Sequence, residues 1–157
     1  MRIRRLGTAF LLACTATLAQ DGPWHHRILL ATSPDGLSWA VQNQTLAERA
    51  SVPELFLDPE GGPTILFVDA STTPETIGAM QRDGQGNWRR TATNLRQVDP
   101  NVVRLNNGAY RAYVKSGLDG AMSAYRSADG LNWSQMGEVF CDSRYREATD
   151  PDAIMTS

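Results

Sequence analysis

Three proline-centred elements hold the residues best suited to chemistry. Val52-Pro53-Glu54, Asp99-Pro100-Asn101 and Asp150-Pro151-Asp152 each lead into an apolar run, and their prolines lie 47 and 51 residues apart. Carboxylates held at one position of a repeated unit are suited to general acid/base work or to orienting a substrate. On this pattern Asp99 and Asp150 are the catalytic candidates. Glu54, Asn101 and Asp152 are candidates for binding polar substrate groups, and so is Arg111 in Tyr110-Arg111-Ala112-Tyr113. A second reading stands beside this one. Asp before proline caps the entry to a strand by accepting a backbone N–H two residues on, and a repeat-position arginine pairs with an acid of the neighbouring repeat. No metal centre and no cofactor are expected, because His25 and His26 are the only histidines and a metal needs more ligands. Cys141, beside Val139-Phe140, reads as a small core residue rather than a nucleophile.

The elements that must position these residues announce themselves as a repeat. Ser33-Pro34-Asp35-Gly36-Leu37-Ser38-Trp39 recurs as Ser127-Ala128-Asp129-Gly130-Leu131-Asn132-Trp133. A looser copy, Asp83-Gly84-Gln85-Gly86-Asn87-Trp88, falls between them, and the three aspartates are 48 and 46 residues apart. The stretch Gly62-Pro63-Thr64-Ile65-Leu66-Phe67-Val68 matches Gly108-Ala109-Tyr110-Arg111-Ala112-Tyr113-Val114 at an offset of 46. Asp accepts backbone hydrogen bonds inside such a turn, Gly supplies positive φ, and Trp packs its ring under the hairpin. These are fold-building residues.

Each unit reads as four short strands. The first is the apolar run after Pro53 or Pro100, and the second is 64–68 or 110–115. The third is 77–81 or 121–126, and the fourth begins at Trp88 or Trp133. Continuous rather than alternating apolar runs predict sheets covered on both faces. A four-stranded unit of this length that cannot bury both faces alone is a β-propeller blade. The predicted fold class is therefore all-β, an incomplete propeller of about two and a half blades. It comprises a half blade at 27–48, blades at about 52–97 and 99–148, and the first strand of a further blade at 150–157.

Residues 1–19 read differently. Arg2, Arg4 and Arg5 precede an apolar run from Leu6 to Ala19, the pattern of a secretory signal. Two exits are open: cleavage after Thr17-Leu18-Ala19, or a lipobox at Leu11-Leu12-Ala13-Cys14 with Cys14 carrying a lipid anchor. Either predicts export to the periplasm or beyond the cell. The remaining chain carries 12 basic against 17 acidic side chains, and its only lysine is Lys115. That balance excludes nucleic acid as a partner, since phosphate contacts need clustered cations. With 41% hydrophobic and 20% charged residues, the bulk of the chain is neither disordered nor membrane-spanning.

The turn Ser-x-Asp-Gly-x-x-Trp resembles a shortened Asp box of sialidase-type propellers. Residues 99–113, Asp-Pro-x-Val-Val-Arg-Leu-x-x-Gly-x-Tyr-Arg-x-Tyr, are similar to the blade motif of the five-bladed arabinanase/levansucrase/invertase superfamily of glycoside hydrolases, including the arabinanase/xylosidase-type family. The resemblance covers residues 27–155 and implies a carbohydrate partner and hydrolysis of glycosidic bonds by paired carboxylates. Taken in order, Val52-Pro53-Glu54 resembles the family's second strand-one element and Val98-Asp99-Pro100 the third, whose Asp orients and tunes. Thr149-Asp150-Pro151 falls at the position of the general acid. No Glu-Gly-Pro occurs there, Glu147 lies four residues before Pro151, and the element carrying the general base has no counterpart. The resemblance thus implies a chain inactive as it stands, or a non-catalytic carbohydrate-binding or scaffold propeller. A sialidase-like activity would need an arginine cluster, of which only Arg111 is in place. Five blades at this period take roughly 230–250 residues. The expectation is a fragment of a longer reading frame, with self-association closing the ring as the other route.

Overall fold

The computed structural model describes residues 22–116, 121–142, 144 and 148–156. The expected signal segment 1–19 with Cys14, and Glu147, lie outside the described residues. The fold is all-β. A short helical turn at Pro23–His25 leads into three antiparallel sheets. The first holds β1 (Arg27–Thr32) and β2 (Ala40–Glu48). The second holds β3 (Ala50–Leu57), β4 (Pro63–Asp69), β5 (Thr76–Arg82) and β6 (Trp88–Thr91). The third holds β7 (Val98–Arg104), β8 (Tyr110–Ser116), β9 (Ala121–Ser127) and β10 (Trp133–Phe140). Within each sheet the spatial order follows the chain, so every connection is a hairpin. Among the described residues no helix is long and apolar enough to cross a membrane.

The sheets stack in chain order through two apolar layers. Ile28 and Ala47 of the first sheet pack on Ala50, Ile65, Phe67 and Met80 of the second. Leu66, Ile77 and Ala79 pack on Val102, Tyr110, Ala112, Val114, Tyr125 and Trp133 between the second and third. β4 is thus clad on both faces and is buried at nearly every position, whereas β8 alternates buried and half-buried residues. The difference follows from position in the stack. Among the described residues the middle sheet has two neighbouring sheets and the third has one.

Register corrects the alignment of the repeat. Leu57 pairs with Pro63, and Arg104 with Tyr110; Glu54 pairs with Leu66, and Asn101 with Tyr113. The offset is therefore 47 throughout these strands, the spacing of the first two prolines, and not the 46 that matches Gly62 to Gly108. Gly61 is the equivalent of Gly108, with φ +86 and +84. The two loops close alike, Gly61 N–H on Asp58 C=O and Gly108 N–H on Leu105 C=O. The slip matters because one residue moves every side chain to the opposite face. Arg111 corresponds to Thr64 and Tyr113 to Leu66, not to Ile65 and Phe67.

The two Ser-x-Asp-Gly turns are the same object. Asp35 Oδ1 accepts the Leu37 and Ser38 N–H groups at 2.8 and 2.8 Å; Asp129 Oδ1 accepts those of Leu131 and Asn132 at 2.9 and 2.8 Å. Ser33 and Ser127 Oγ each accept the glycine N–H at 2.8 Å. These N–H groups hold the Asp35 carboxyl down at about 2. At Asp129 burial pushes upward, but the Asn132 amide and the turn N–H groups outweigh it and hold the carboxyl well below the usual range. The Asp83 turn is of a different kind. It closes through Asp83 N–H to Asn87 C=O and Gly86 N–H to Asp83 C=O, and positive φ falls on Gly86, not Gly84. It belongs with the loops at 58–62 and 105–109.

All three turn tryptophans stand at or just before a fourth-strand position, yet their burial differs. Trp133 is 5% exposed under the second sheet, Trp88 is half-buried against the first, and Trp39 is 64% exposed. Trp133 and Trp88 each pack toward the sheet that precedes their own. The linker between β6 and β7 clasps Trp133, with Asn94 Oδ1 accepting the Trp133 N–H at 2.6 Å and Asn94 Nδ2 donating to Trp133 C=O at 3.1 Å.

Three further expectations change. Prolines 53 and 100 do not begin their strands but lie inside them, at register shifts between Ser51 and Glu54 and between Val98 and Asn101. Proline has no N–H for the ladder, so it is confined to such bulges. The strand expected at 150–157 is not formed by its described residues, 150–156, which carry no ladder pairing. Cys141 is exposed rather than in the core.

Candidate functional site

The three proline elements share one backbone device. Val52, Asp99 and Asp150, each preceding its proline, have φ of +48, +52 and +50. Sterics push a residue before proline toward extended conformations, and positive φ is unusual for any residue with a Cβ, above all valine. Recurrence at three equivalent places makes it part of how the unit is built: it turns the chain through the bulge so that the residue after proline projects toward the next unit.

That projection creates a ladder across units. The Glu54 carboxylate accepts the Val102 N–H at 2.7 Å and the Asn101 amide at 3.4 Å. One unit on, Asn101 Oδ1 accepts the Ala153 N–H at 3.1 Å. In each rung the residue after proline takes the backbone N–H of the second residue after the next proline. Segment 150–156 therefore occupies, relative to β7, the place that β7 occupies relative to β3, although it is unpaired. Asp152 stands at the third position of the series.

Burial pushes the Glu54 carboxyl up, opposed by the Val102 N–H and reinforced by the negative charge of Asp152. Raising a carboxyl above its unfolded value makes folding less favourable as the group ionises. Wild-type stability is expected to fall as pH rises from about 4.5 through the raised folded value. Glu54→Gln keeps the acceptor oxygen and is expected to lack this pH step and to match or exceed the wild type at pH 7. Glu54→Ala strands the N–H of Val102, itself 8% exposed, and is expected to cost about 1–3 kcal/mol. Urea unfolding of both variants at pH 4 and pH 7 checks the pair.

Of the six residues expected to form the site, the structure links Glu54 to Asn101 directly and to Asp152 by charge. Asp150 and Asp152 are exposed, Asp99 is half-buried, and Asp99 makes contacts of its own. Arg111 stands with Asp150 and Asp152 along a cleft of about 650 Å³ between the outer face of the third sheet and residues 149–153. Asp99 and Glu54 are not among the cleft's lining residues. Its remaining wall is apolar: Tyr113, Met122, Ala124, Met136, Val139 and Phe140. The Nε of Arg111 is buried without a hydrogen-bond partner. The apolar wall was not anticipated from sequence. The signal for it was present, since Tyr113, Met122 and Ala124 occupy positions equivalent to Leu66, Ile77 and Ala79 once the offset is set correctly. Among the described residues no group of three or more His, Cys, Asp or Glu is placed to hold a metal ion.

The arrangement offers carboxylates of contrasting setting: Asp150 and Asp152 in solvent, and Glu54 half-buried with its carboxyl pushed up by burial. No protein-family model matches the chain, and no curated protein is significantly similar to it.

Proposed function

We propose that the three sheets are consecutive blades of a carbohydrate-active β-propeller whose ligand site lies along the entries of the innermost strands. Asp99, Asp150 and Asp152 are its sugar-facing carboxylates. The observation that supports this reading is the ladder Glu54–Asn101–Ala153, which links the segments following Pro53, Pro100 and Pro151 one to the next. Glu54 and Asn101 serve that ladder mainly as braces, since their acceptor atoms are engaged by the neighbouring unit. Arg111 belongs to the sheet face, at the position of Thr64. The similarity of residues 99–113 to five-bladed glycoside hydrolases supports a sugar as ligand and makes hydrolysis by the same carboxylates the activity to look for.

The test is calorimetric titration of the chain with arabinan-, xylan- and fructan-derived oligosaccharides, alongside release of nitrophenol from aryl glycosides. Asp99→Asn and Asp150→Asn are each expected to weaken sugar binding at least about tenfold, the effect of losing a charge-assisted hydrogen bond. They are expected to remove any hydrolysis. Binding and turnover unchanged in both variants would take these residues out of the site. Sugar binding without nitrophenol release would assign the chain a recognition role.

A further inference from the structure

We propose that the open face of the third sheet is the docking face for the first sheet of a second copy of this chain, in the head-to-tail arrangement that the sheets already use within one chain.

The stacking of sheet on sheet occurs twice here, and it has two distinct sides. The side that meets a following sheet presents Leu66, Ile77 and Ala79 in the second sheet, and all three are buried under the third. Their register equivalents in the third sheet are Tyr113, Met122 and Ala124, and these line the cleft. With them lie Met136, Val139 and Phe140, which are 52%, 53% and 47% exposed. The cleft is therefore the following side of an interface whose counterpart in the second sheet is filled.

The side that meets a preceding sheet is defined by Trp133, Tyr125 and Leu131 of the third sheet, packed on the second. The shared Asp turn carries these onto the first sheet as Trp39, Ala31 and Leu37. That face is open: Leu37 is 88% exposed, Trp39 and Val41 64%, and Leu29 48%. One chain thus carries both halves of the same repeat interface, one at each end of the stack. Segment 149–153 adds a seat. It lies against the third sheet as β7 lies against the second, and its Asp152 holds the rung position that Glu54 and Asn101 use to accept a neighbour's N–H. Patches of this kind on different surfaces make a heterologous contact, which adds copies in one direction unless the rotation closes a ring. An exposed Trp meeting a Met- and Phe-lined wall is the composition of an energetic centre.

The experiment is sedimentation equilibrium of the full chain across micromolar concentrations, with Trp39→Glu and Met136→Glu as single variants and as an equal mixture. Both positions are more than half exposed, so neither change should disturb the fold, and circular dichroism verifies this. The wild type is expected to form dimers and larger head-to-tail species. Each variant alone is expected to associate at least about tenfold more weakly. The mixture is expected to form a dimer and stop there, because each partner keeps the face the other has lost. A wild type that stays monomeric overturns the proposal. So does a Trp39→Glu variant that associates as the wild type does, which would mean cleft against cleft, or a mixture that remains monomeric. None of these readouts depends on sugar binding.

Discussion

Replacing Trp133 with alanine is expected to lower the unfolding free energy by about 3–5 kcal/mol, while Trp39→Ala changes it by less than about 1 kcal/mol. The two residues close the same turn at the same strand position. What separates them is the neighbour. The Trp133 ring is 5% exposed among Leu66, Leu95 and Tyr110, and its backbone is clasped by Asn94 from the preceding linker. Truncation there removes a large ring from a filled layer and leaves a cavity that flanking strands cannot close. The Trp39 ring is 64% exposed, with its Nε1 donating to Gly36 C=O at 3.2 Å. Urea unfolding at concentrations low enough to keep the chain monomeric measures both. Equal losses would mean that the turn, not the stacking, supplies the energy.

The second large effect is expected at Gly130. Gly130→Ala should cost about 2–4 kcal/mol and Gly36→Ala about 1 kcal/mol. Both glycines sit in the left-handed region, with φ +78 and +74, so both variants bear the same backbone strain. A Cβ on Gly130 would come within 2.5 Å of the Phe56 ring, whereas one on Gly36 would meet nothing within 4 Å. Phe56 is in turn packed on Tyr110, ring centres 5.4 Å apart, whose hydroxyl donates to Leu57 C=O at 2.7 Å. The ring has little room to retreat. The difference between the two variants therefore reads the tightness of the second interface directly, and it is checked by the same denaturant series.

Much of this architecture was legible because turn chemistry is local. Trp88 and Trp133 begin strands as expected, and the second strands at 64–68 and 110–115 fall inside β4 and β8. Hairpins made by Ser-x-Asp-Gly leave few alternatives for the strands on either side. The failures have equally particular causes. Gly61-Gly62 offers two adjacent residues able to take positive φ, and only the pairing of Leu57 with Pro63 shows which one does. Asp83-Gly84 matches the other turns by composition, but Gly86 lets a different loop close. The left-handed residues before Pro53, Pro100 and Pro151 run against the general preference of such positions, so local propensity points the wrong way. The site was legible only in part for the same reason: the bulge, not the strand, decides that Glu54 and Asn101 reach across to the next unit.

The turn at Ser33 makes the same bonds as the turn at Ser127, within 0.1 Å, though among the described residues only the second has a sheet packed over it. Its geometry is thus self-sufficient, complete before any distant part of the polypeptide arrives. Since every strand also pairs with its immediate predecessor or successor, nearly all ladder contacts span short stretches of sequence, the topology that speeds folding of β proteins. As the chain folds, each meander can zip up from its own hairpins and then serve as the template on which its successor condenses.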